Sequence, residues 1–160
     1  MRRMKMTKKT YKRCLLIIIL IGLCLVPVLY AQSDHRPQAV KEVAYEFQVP
    51  LSKDVKRLKE IYKEPDFHGD GEAGILLSTK AEEIKSIQDR LSPYEVDKNS
   101  KEFEAIEGCL KALNRRGFQP DLSEISRAYF KQTTDYRYGN FIGLIIDEKT
   151  NKILYVRWDS

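Results

Sequence analysis

Eighteen consecutive residues, CLLIIILIGLCLVPVLYA from Cys14 to Ala31, contain no acid or base beyond two thiols and one tyrosine. A helix apolar on every side is either wholly buried in a large core or set in lipid, and apolarity this uninterrupted directly after a basic stretch points to lipid. Seven basic residues precede it (Arg2, Arg3, Lys5, Lys8, Lys9, Lys12, Arg13) with no acid among them. That asymmetry keeps the N-terminus in the cytoplasm and sends the rest of the chain across the membrane. The run lies between the roughly 7–15 apolar residues of a signal peptide and the roughly 17–25 of a spanning helix. Pro27 and the small Ala31 suit cleavage after Ala31, whereas Leu29 is large for the position three residues before the cut. Two outcomes are open: a single-pass anchor in the cell membrane with its N-terminus inside, or a secreted or periplasmic protein after cleavage near Ala31.

The chain is thereby divided into a basic cytoplasmic n-region over 1–13, a signal peptide or transmembrane anchor over 14–31, a polar tether over 32–40, and an extracytoplasmic domain over 41–160. The roughly 129 residues beyond Ala31 suffice for a single core that hides about two thirds of the unfolded surface. The net charge of +5 does not belong to that domain. Seven of the 28 basic residues lie before Ala31, leaving 21 against 23 acids, a net of −2. Nucleic acid is therefore not an expected partner, since phosphate binding calls for a clustered basic excess. Cys14 and Cys24 fall in the apolar run, so Cys109 stands alone and no disulfide framework is available.

Within the domain, Val43, Ala44 and Phe47 predict a short helix over Lys41–Val49, stopped by Pro50. Val55, Leu58, Ile61 and Tyr62 recur at helical spacing and predict a second over Asp54–Glu64. The glycine-rich stretch EPDFHGDGEAG reads as a loop entering a buried strand at Ile75–Leu77. Thr79 with Glu82, and Asn99 with Glu102, form capping boxes. The first opens a helix with Ile84, Ile87 and Leu91 on one face, and the second opens one with Phe103, Ile106, Leu110 and Leu113. Gly117 closes the latter, with Arg115 and Arg116 near its C-terminal dipole. Cys109 shares its apolar face and is expected to be a buried thiol. The last third, ISRAYFKQ, NFIGLIID and KILYVRWD, is rich in β-formers and predicts three strands. EKTN has hairpin length, so the last two should pair antiparallel. Both faces of NFIGLIID are apolar, which places it centrally. The expected fold is α+β, a small antiparallel sheet with two or three helices packed on one face, preceded by the N-terminal apolar helix.

The densest chemistry lies in Asp66, Phe67, His68, Asp70 and Glu72. His68, Asp70 and Glu72 would share one side of an extended chain, and imidazole with carboxylates can hold a divalent metal. The same residues also make a solvated turn. An EF-hand is excluded, because its twelfth position would be Leu77 in place of the closing glutamate. There is no GxSxG, HExxH, phosphate loop or CxxC, so no catalytic residue is assigned and no cofactor is called for. Tyr129, Phe130, Tyr136, Tyr138 and Phe141 suit a core better than a sugar-binding surface.

The segment Phe67–Gly71 (FHGDG) together with AYFKQ through ILYVRWDS resembles a group of small, uncharacterised bacterial proteins, exported or membrane-anchored. That resemblance implies a strand before FHGDG, over Asp54–Tyr62, and transfers no activity. Where the group has a tryptophan and proline stretch after its first helix, this chain has SPYEVDKN. The functional expectation is a non-catalytic accessory module, tied to the membrane by its N-terminal segment and contacting an envelope protein. The alternative is a metal-binding or metal-dependent hydrolase domain using His68, Asp70 and Glu72.

Overall fold

The computed structural model describes residues 36–63, 71–133 and 139–159. The chain divides into two units, Met1–His35 and Arg36–Ser160, and the fold described is that of the second. The apolar run Cys14–Ala31 lies outside the described residues, among which no helix is long and apolar enough to cross a membrane.

In chain order the elements are α1 (Gln38–Phe47), β1 (Lys56–Lys63), β2 (Gly71–Ser78), α2 (Ala81–Leu91), a single 3-10 turn (Ser92–Tyr94), β3 (Glu95–Val96), α3 (Lys101–Arg115), β4 (Arg127–Gln132), β5 (Phe141–Asp147) and β6 (Lys152–Asp159). The strands form one six-stranded sheet in the order β1-β2-β6-β5-β4-β3. Every neighbouring pair is antiparallel. This is the expected α+β class, with β5 central and fully buried along its length. The expected hairpin joins β5 to β6.

Both faces of the sheet are covered. Val40, Val43 and Phe47 of α1 and Ile84, Ile87 and Leu91 of α2 pack on one face with Ile75, Leu77, Leu144 and Tyr155. Phe103, Ile106, Cys109 and Leu113 of α3 pack on the other with Leu76, Ile145, Leu154 and Val156. Two helices on one face match the expectation, and α3 adds a third layer. The apolar residues on both sides of β5 require it, because a bare apolar sheet face would stay in water.

The closeness of α3 explains two glycines. Gly143, Val156 and Gly74 lie side by side across β5, β6 and β2. A methyl group on Gly143 would lie 2.7 Å from Ile106 Cγ1, and one on Gly74 would lie 2.8 Å from Phe118 Cε1. The two glycines thus form a trough that receives the helix and the residue just past its end. Gly117, at φ +88°, turns the chain so that the Phe118 N–H donates to Leu113 O at 3.1 Å and the Phe118 ring drops onto Gly74.

Several local expectations are corrected. Asp54–Glu64 does not form a helix, because β2 is buried at nearly every position and its outer row of N–H and C=O groups must be paired. Hydrogen bonding to β2 overrides the helical spacing, and the segment is a strand, as the resemblance implies. The first helix starts at Gln38, ahead of Lys41, since Ala39 and Val40 are themselves buried. Ser100, not Asn99, caps α3, accepting from the Phe103 N–H at 3.1 Å. Thr79 stands one residue before the cap of α2 and donates to the Glu83 carboxylate.

Candidate functional site

Asp66, Phe67, His68 and Asp70 lie outside the described residues, as do Tyr136 and Tyr138. Glu72 is described and does not sit in a turn: it is the second residue of β2. The antiparallel register aligns Lys63, Glu72, Trp158, Phe141 and Gln132 in one row across β1, β2, β6, β5 and β4. Lys63 and Gly71 bracket residues 64–70 in sequence, and Gln132 and Phe141 bracket residues 133–140. Both connections, and the chain beyond Asp159, therefore leave the sheet from this same end.

On the α3 face of this end, Glu72 is only 6% exposed. Arg116 Nη2, just past α3, lies 3.4 Å from its Oε1. Among the described residues its buried Oε2 has no hydrogen-bond partner. Cys109 faces the same region from the middle of α3, with its Sγ 3.7 Å from the backbone carbonyl of Arg157. Burial, and then the nearby Glu72 charge, push the Cys109 thiol up to about 12. At neutral pH it stays protonated, which removes the thiolate a nucleophile or metal ligand needs. The expected buried structural thiol is what stands there.

On the α1 face a second polar group ties helix to sheet. Glu42 accepts from Tyr62 Oη at 3.2 Å, Tyr155 Oη at 3.4 Å and Arg157 Nη1 at 2.9 Å. Arg157 Nε is also 3.0 Å from Asp159 Oδ2, as an ion pair without hydrogen-bond alignment. Burial and the Glu42 charge raise both phenols well above the usual tyrosine range, so they act as donors, not as bases. Four residues further along α1, the Glu46 carbonyl accepts from Lys131 Nζ at 2.7 Å. These contacts hold α1 across β1, β6 and β4.

A third polar centre is structural. Asp147, at the end of β5, is fully buried. Its carboxylate accepts from Ser123 N at 2.7 Å, Ser123 Oγ at 3.1 Å, Thr150 N at 3.1 Å and Thr150 Oγ1 at 2.6 Å. Burial alone would raise its pKa, but the Thr150 and Ser123 donors outweigh that and hold it well below the usual carboxylate range. Sequence reading missed this residue, because an aspartate before EKTN looks like an ordinary turn opener.

Among the described residues no group of three or more His, Cys, Asp and Glu is placed to hold a metal ion. Of the three residues expected in a metal site, only Glu72 is described, and an Arg116 guanidinium already faces it. Phe130 and Phe141 stack at 5.0 Å and pack beneath α3 with Tyr129 buried on the other face, the core role expected for these three. Compared with known proteins, the chain matches no protein-family model, no curated protein and no solved structure.

Proposed function

We propose that the chain is an exported or membrane-tethered, non-catalytic interaction module that contacts an envelope protein through the sheet end where residues 64–70 leave. The observation that supports it most is the topology: the connection bearing Asp66, Phe67, His68 and Asp70 starts and ends beside Glu72 and Trp158, at the same end as the second aromatic connection. The polar residues described around that end form two groups, Glu42 with Tyr62, Tyr155 and Arg157 on one face and Glu72 with Arg116 on the other, both poised for holding shape, not for proton transfer.

The test replaces residues 66–70 by a glycine–serine linker of equal length in the full chain. Folding should be retained, and the envelope protein recovered with the wild type should be lost. Recovery of the same protein in the same amount would sink the reading. The alternative, a metal site at His68, Asp70 and Glu72, draws support from the unpartnered Glu72 Oε2, an oxygen with room in its bonding for a cation.

A further inference from the structure

The two edges of the sheet are finished in different ways. At one end of the order β3 is only two residues long, too short to template another strand. At the other, β1 runs for eight residues with no further strand beside it among the described residues. Its sequence, KRLKEIYK, carries four basic residues against one acid, Glu60, and the turn just before it adds one of each, Lys53 and Asp54. Arg57 pairs with Glu60 along the strand, and Lys59 leans over the Phe118 ring, donating to Gly117 O and Gln119 O. Carbonyls and a ring do not neutralise Lys59, and four basic side chains against one acid give the strand a formal charge of +3. Leu58, at a bulge between Arg57 and Lys59, is 50% exposed, and Tyr62 is 42% exposed.

Lysines and a bulge protect an edge from pairing with its own copy, since two β1 strands would set like charges opposite one another. That protection is selective by sign. A strand of opposite charge meets attraction where a second copy meets repulsion, and the regular stretch Lys59–Lys63 beyond the bulge still presents alternate N–H and C=O groups outward. We infer that β1 is a docking edge for an extended acidic segment of a partner protein, which adds to the sheet as a seventh strand. This rests on the interaction-module reading and names the partner's chemistry. The edge is also continuous with the candidate site, because Lys63 ends β1 where residues 64–70 begin.

The test uses the full chain in nanodiscs of neutral lipid and a labelled ten-residue peptide alternating glutamate and valine. Binding should weaken with added salt and slow amide exchange in Lys59–Lys63. The same peptide with every backbone nitrogen methylated keeps its charge but cannot pair, and should not bind. Lys56→Glu with Arg57→Glu should weaken binding about tenfold, the sum of two exposed charge contacts turned from attraction to repulsion. Failure of the acidic peptide to bind, equal binding of a lysine–valine peptide or of the methylated one, or slowed exchange away from β1 would each overturn the inference. The linker replacement at residues 66–70 separates the two proposals. Peptide binding that survives it while partner recovery is unchanged leaves the edge standing without the loop contact, and loss of partner recovery without peptide binding does the reverse.

Discussion

At single positions the fold is held by close contacts that leave no slack. Gly143→Ala should destabilise by about 1–3 kcal/mol, because a methyl 2.7 Å from Ile106 Cγ1 forces α3 to shift. Denaturant unfolding measures it, with Gly108→Ala as the contrast. Gly108 lies on the exposed side of α3 with nothing near its missing side chain, so alanine there should stabilise by about 0.5–1 kcal/mol. Asp147 contributes a pH dependence. Its pKa is depressed on folding, so its contribution is fully present above the unfolded carboxylate value of about 3.9 and is lost as pH falls below it. Asp147→Ala should cost about 2–3 kcal/mol near neutral pH, by stripping the Ser123 and Thr150 donors of a charged acceptor. It should also flatten the loss of stability in acid. Gly143 is not identifiable from its neighbours in sequence, since it meets Ile106 on another element, and Asp147 is only partly so, since Thr150 lies three residues on but Ser123 lies 24 residues away.

Among the elements, α2, α3 and the last three strands were legible because each hides a clear apolar pattern: Ile84, Ile87 and Leu91, or the continuous apolar run of β5. β1 was not. An edge strand buries few side chains, so its spacing carries little constraint, and Val55, Leu58, Ile61 and Tyr62 suggest a helix by coincidence. The deciding factor is the demand of β2 for hydrogen-bond partners, which no local pattern records. The site was half legible: Cys109 was recognisable as buried, whereas Glu72 was read as part of a turn because glycines flank it. The helix most dependent on polar contacts is α1. Glu42→Ala should leave Arg157 facing only Asp159 and free two phenols, costing about 1–3 kcal/mol. Faster amide exchange confined to Gln38–Phe47 would show that α1 loosens first, and uniform exchange across the sheet would argue against that role.

For the molecule as a whole, a sheet covered on both faces needs no disulfide or metal to close its core, and residues 36–160 should fold cooperatively without the N-terminal segment. Circular dichroism of that fragment should show a single melting transition. If that sheet end works by contact, as proposed, His68 serves the partner contact and Glu72 serves shape, and neither coordinates a metal. The direct measurement is the melt of residues 36–160 with and without Zn²⁺, Mn²⁺ and Ca²⁺, repeated for His68→Ala. A metal held at 100 times its dissociation constant adds about 2.7 kcal/mol, several degrees for a domain of this size. The contact reading predicts that no metal moves either melt; a rise in the wild type that His68→Ala abolishes would contradict it and make the metal centre the leading reading.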